Sequence, residues 1–91
     1  MNTQETVEKL RLMANTIEEL EIDNIICCEV VYGSEMSIHL HSLKLANAEA
    51  TWKERLVSDY PWEKSFTHNN IHFFALYTQE EYNKERNLSI V

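Results

Sequence analysis

The sequence predicts an α+β domain: an N-terminal helix, an antiparallel sheet built from two hairpins plus a middle strand, and a C-terminal helix. Three observations carry this. Apolar residues recur at spacings of three and four from Val7 to Leu20. Two alternating runs, Ile25–Tyr32 and Glu35–His41, meet at Gly33, the only glycine. Near the other end, Thr78-Gln79-Glu80-Glu81 has the pattern of a helix capping box. With 91 residues and a 44% apolar share, the chain is expected to form a single domain over 1–91 around a modest core.

In the first helix Asn2 is the expected cap, with Glu5 three residues on. Val7, Leu10, Met13, Ala14, Ile17 and Leu20 form its predicted buried face. Glu5 and Lys9 are a favourable i,i+4 pair, and Asp23-Asn24 is expected to end the helix. Glu18, Glu19 and Glu21 crowd the negative end of the helix dipole, where carboxylates oppose the helix. Local helix stability does not explain them, which makes them candidates for a binding surface.

Gly33-Ser34 reads as a two-residue hairpin turn, because glycine adopts positive φ at little steric cost. Such a loop sets Tyr32 against Glu35, Val31 against Met36 and Cys28 against His39. Ile25, Cys27, Val31, Met36, Ile38 and Leu40 then share one face with Glu29, and this face is expected to pack on the first helix. The other face carries Ile26, Cys28, Val30, Tyr32, His39 and His41.

Residues 43–58 admit two readings. Ser42 caps a helix with Leu45, Ala48, Trp52 and Leu56 on one side, or a short helical turn near 43–48 leads into a strand at 51–57. The strand is preferred, since Thr51-Trp52 and Leu56-Val57 suit extended structure. After a turn at Asp59-Tyr60-Pro61, Asn69-Asn70 divides a second hairpin, because asparagine tolerates positive φ. A two-residue loop there pairs Phe66 with Phe73 and Trp62 with Tyr77. Phe74 and Leu76 fall on the opposite face, so this hairpin is expected to be central and covered on both sides. The last helix starts at the capping box, with Tyr77 and Tyr82 placed as a hydrophobic staple and Glu80–Lys84 as an i,i+4 pair. The tail Leu88-Ser89-Ile90-Val91 is expected to dock on the sheet or to serve as an intermolecular strand.

Fifteen acids against eight bases leave a net charge of −7, and residues 1–31 hold seven of those acids against Lys9 and Arg11 alone. This balance disfavours direct nucleic-acid or membrane binding and favours a basic protein partner. No apolar run approaches the ~20 residues of a membrane span, and the polar, acidic start is unlike a signal peptide. A cytoplasmic protein is expected. Cys27 and Cys28 are neighbours pointing to opposite faces of a strand, so they are read as two reduced thiols.

A single glycine leaves no phosphate-cradling loop, and there is no Gly-x-Ser-x-Gly motif. Neither a cofactor nor catalysis is expected. Glu29 is the carboxylate nearest to acid/base use, but the derived register sets His39 and His41 across the sheet from it. Lys44, Lys53, Arg55 and Lys64 lie near Trp52 and Trp62, yet Glu49, Glu54, Asp59 and Glu63 interrupt any basic stripe. An alternative reading is a small metal-binding domain, since Cys28, His39 and His41 share a face in that register and His72 could complete a zinc set. Another is a homo-oligomeric structural protein, a homodimer at its simplest, joined through a sheet edge or the tail. The leading expectation is a non-enzymatic acidic binding protein. Its carboxylates Glu18, Glu19, Glu21 and Asp23 would occupy a basic groove that otherwise holds phosphates.

The run from Asp59-Tyr60-Pro61-Trp62 through Phe73-Phe74-Ala75-Leu76-Tyr77 to Glu81-Tyr82 resembles the C-terminal half of small acidic accessory proteins of bacteriophages and mobile elements of Gram-positive bacteria. The resemblance lies in an amphipathic opening helix, a compact sheet and a capped helix after a Phe-Phe-Ala-Leu strand. It implies an inhibitor of host defence, anti-CRISPR proteins included, or a small regulator. It carries over no individual functional residue.

Overall fold

The computed structural model describes residues 2–30, 35–43, 50–56 and 59–90, with backbone alone for 87–90. Helix α1 (Thr3–Leu20) precedes strands β1 (Ile25–Val30), β2 (Met36–Leu40), β3 (Thr51–Glu54), β4 (Trp62–His68) and β5 (Ile71–Tyr77), and helix α2 (Gln79–Ile90) closes the chain. The fold is α+β. Its five strands lie in the order β1-β2-β5-β4-β3. The expected antiparallel sheet is in fact mixed, because the two hairpins meet through a parallel pairing of β2 with β5. That pairing sets Met36 against Ile71, Ile38 against Phe73 and Leu40 against Ala75, which are at most 5% exposed. The middle strand of the sequence lies at the outer edge beside β4.

The Asn69-Asn70 hairpin forms as its sequence predicts, with both asparagines at positive φ (53° and 62°) and with Phe66 opposite Phe73 and Trp62 opposite Tyr77. The β1–β2 hairpin differs. Val30 pairs with Met36, Cys28 with Ile38 and Cys27 with His39, one residue away from the expected register. The connection is therefore longer than two residues, and the Gly33-Ser34 turn itself lies outside the described residues. The register shifts again between Ile25 and Cys27, where an extra residue forms a bulge. The slip turns the side chains of Cys27–Val30 over: Cys28 and Val30 join the core side, while Cys27 and Glu29 go to the other, and the bulge leaves Ile25 on the core side opposite Leu40.

Both helices pack on one face. Helix α1 contributes Met13 and Thr16 to the core, and the Thr16 hydroxyl donates to the Leu12 carbonyl and accepts from the Asn69 amide at 3.2 Å. That contact ties the β4–β5 turn to the helix. The predicted helix face is rotated: Met13, Ile17 and Leu20 turn inward, whereas Val7 and Leu10 are 38% and 50% exposed and Ala14 is exposed as well. The helix also stops at Leu20, short of Asp23-Asn24. Glu21 takes the left-handed conformation (φ 53°), with its N–H bonded to the Glu18 carbonyl and that of Ile22 to Ile17. These bonds make a Schellman end. At the other terminus, the Asn2 side chain accepts from the Glu5 N–H at 2.8 Å, as expected.

Helix α2 begins with the predicted reciprocal box, in which Glu81 N–H donates to the Thr78 hydroxyl and Thr78 N–H to the Glu81 carboxylate. Tyr77 and Tyr82 both meet the Trp52 ring edge-on, and Tyr82 stacks on Trp62 at 3.7 Å. The Lys64 ammonium joins sheet to helix through Glu85 and the Leu43 carbonyl. The tail is not a strand, since α2 runs through Ile90. The expected strand at 51–57 is real but ends at Glu54, and Leu56 is fully exposed. The helical turn expected near 43–48 falls largely on 44–49, outside the described residues. Among the described residues no helix is long and apolar enough to cross a membrane.

Candidate partner-binding surface

Because both helices cover one face, the opposite face is uncovered among the described residues. It carries Cys27, Glu29, Ser37, His39, His72, Phe74, Leu76, Glu63 and Lys53, as the strand registers dictate. Phe74 and Leu76 were expected to be covered and are instead half-buried here. At its centre three rings stack: His39 on Phe74 at 4.6 Å, and His72 on the same ring at 5.5 Å. An open pocket of about 530 Å³ adjoins them, lined by Ile26, His39, His41, Tyr60, Leu76 and Glu81 among others. Burial lowers the His39 pKa below its ordinary value, and Arg55 adds to this while Glu63 opposes it. The imidazole is accordingly held neutral near pH 7. The Glu81 carboxylate is already engaged as the cap of α2.

The residues suggested as zinc ligands do not converge. His39 faces the open side, while Cys28 lies opposite Ile38 on the helix-covered side and His41 lies beyond the end of β2. Cys27, not Cys28, is the thiol across from His39. The one-residue register slip is the cause. Among the described residues no group of three or more His, Cys, Asp or Glu side chains is arranged to hold a metal. Glu29, expected on the apolar face, is exposed on the other. Cys27 and Cys28 are both free thiols. Burial and then the neighbouring Cys27 raise the Cys28 pKa above its ordinary value.

The carboxylates Glu18, Glu19, Glu21 and Asp23 are all exposed where α1 gives way to β1. Glu19 has one neighbour of opposite potential charge, His68 at 3.7 Å. No ion pair engages the other three among the described residues. The last turn of α1 has no basic residue, and residues 12–43 hold six acids and no lysine or arginine. The negative tract therefore continues from the end of the helix along β1, through Glu29, to Glu35 before β2. No local pattern signals the ring stack, which depends on the parallel contact of β2 with β5. The long stretch without a base was legible all along. Compared with known proteins, the chain matches no family model, no curated protein and no solved structure.

Proposed function

We propose that this protein is a non-enzymatic acidic binding protein, an inhibitor or regulator that occupies a basic, nucleic-acid-handling surface of a macromolecular partner in the cytoplasm. One observation carries the reading: Glu18, Glu19, Glu21 and Asp23 stand exposed at a helix end whose dipole opposes them. Glu21 bears a second local cost, since it holds a left-handed position that glycine would fill without strain. Two costs at one site favour retention for an interaction over retention for stability.

The test is capture of a partner from the source lysate with wild-type protein and with the triple variant Glu18→Lys, Glu19→Lys, Glu21→Lys. The reading expects an identified nucleic-acid-binding protein that wild type retains at low salt, releases at high salt and loses on charge reversal. Capture unchanged by the reversal overturns it. Glu21→Gly sharpens the result: it should stabilise the fold by about 0.5–1 kcal/mol while weakening capture.

A further inference from the structure

We propose that the outer edge of β1 docks an extended, basic segment of a protein partner by strand addition. This rests on the reading of the protein as an acidic binder and specifies how the partner is held. Strand β1 ends the sheet, and among the described residues nothing pairs with its outer side. An unpaired edge presents a row of main-chain donors and acceptors that an incoming strand satisfies.

The two sheet edges are built differently. β3 is four residues long and ends in Lys53-Glu54, which is how sheets discourage further pairing. β1 has six residues with neither lysine nor proline, and Ile26, Cys27, Cys28 and Glu29 are exposed. Its bulge interrupts only the beginning, leaving Cys27–Val30 in regular register with β2. Four consecutive extended residues are sufficient for a short added strand.

Charge selects the occupant. Glu21 and Asp23 lie before this edge, Glu29 within it and Glu35 after it, in a stretch without a single base. A second copy would set these carboxylates against one another, and like charges across a strand pair are destabilising. A basic segment neutralises them. Side chains on β1 alternate, with Cys27 and Glu29 toward the open face and Cys28 and Val30 toward the helix side. The matching partner alternates lysine or arginine with apolar residues.

The probe is a short capped peptide alternating lysine with valine, compared with a version N-methylated on the amides of one strand edge. The two carry the same charge, and only the first can complete the main-chain ladder along that edge. Binding is followed by fluorescence anisotropy at low and high salt, and contact by backbone NMR shifts of isotopically labelled protein. The expected result is salt-sensitive binding of the plain peptide, weakened about ten-fold or more by methylation, as loss of two or three hydrogen bonds requires. The largest amide shifts should lie in Cys27–Val30. Equal binding of both peptides, or shifts confined to the end of α1, overturns strand addition and leaves the charge-based reading standing. Failure of both peptides to bind at low salt also overturns it, while the lysate capture decides the parent reading separately. A dimer in light scattering that buries the β1 amides would overturn it in favour of a second copy.

Discussion

Phe73 and Phe74 are adjacent on β5 and meet opposite surroundings. Phe73 is completely buried, stacks on Phe66 at 4.9 Å and lies opposite Ile38 beneath the helix-covered face. Phe74 is half-buried between two histidines on the face that no described helix covers. The same side chain serves the fold in one place and an accessible surface in the other. One face is thus committed to holding two helices, and among the described residues the other remains open beside a sheet edge that no described strand pairs.

The largest expected effect tests that asymmetry directly. Phe73→Ala should destabilise the protein by about 3–5 kcal/mol, because a filled site under both strands and helix cannot collapse around the cavity. Phe74→Ala should cost about 1 kcal/mol, since its ring is already partly hydrated. Urea denaturation of the two variants compares them on one scale. Equal losses would mean that the open face is as tightly packed as the covered one.

A second difference concerns buried polar groups. On the covered face the Tyr77 hydroxyl accepts from the Leu43 N–H at 2.9 Å, and Leu43 is 1% exposed. Tyr77→Phe leaves that N–H without a partner where water does not reach, at a cost of about 1–3 kcal/mol. Burial raises the pKa of this phenol above its ordinary value, with the Leu43 hydrogen bond pulling the other way and Glu85 and Glu81 raising it further. Alkaline titration of tyrosine absorbance should therefore lose its highest step in the variant. The same absorbance titration on wild type should show that step shifted above the free-tyrosine range.

The ion pairs repeat the contrast on a smaller scale. Lys64 on the covered face contacts Glu85, bonds the Leu43 carbonyl at 3.0 Å and lies 5.4 Å from the centre of the Trp52 ring. Glu85→Gln should cost about 1 kcal/mol, with part of the loss persisting in high salt because only 18% of the lysine side chain is exposed. The open-face neighbours His72 and Glu63 are 3.8 Å apart, and Glu63→Gln should change stability by less than about 0.5 kcal/mol. Denaturation in low and high salt separates the two.

Much of this architecture is legible from the sequence, and where it is not the reasons are physical. The second hairpin was specified twice, by two asparagines suited to positive φ and by large apolar residues on matching positions of both strands. Thr78 and Glu81 likewise encode α2 locally. The first hairpin has no such agreement. β1 carries small or apolar side chains at Ile25, Ile26, Cys27, Cys28 and Val30, so either register presents an acceptable face, and a turn residue alone does not choose. The rotated face of α1 reflects tertiary packing: Thr16 is chosen over Leu10 because the Asn69 amide supplies its hydroxyl with a partner. The parallel β2–β5 contact, and with it the open face, follows from long-range pairing that no local pattern encodes. The carboxylates Glu18, Glu19, Glu21 and Asp23 were legible as an exposed group from charge and helix polarity alone. The metal set was not supported, because it depended on the hairpin register that slipped.

The smallest expected effect is a pH dependence on the open face. The native pKa of His39 is lowered, chiefly by burial and next by Arg55. As pH falls, the unfolded chain therefore takes up this proton before the native one does. The contribution of His39 to stability is complete above its ordinary value of 6.5 and declines as pH drops through 6.5 toward the lowered native value. His39→Gln has no such proton to bind, so the difference in stability between wild type and variant should shrink or reverse between pH 7.5 and pH 5.5. Phe74, sandwiched against the neutral ring, should report the event through chemical shifts that move with the same midpoint. A midpoint at or above 6.5 would show that the imidazole is freely hydrated and that the open face is wetter than its packing implies. A lower midpoint would place a partly dry, aromatic strip on the face left uncovered, which is the difference from the core that matters for a partner.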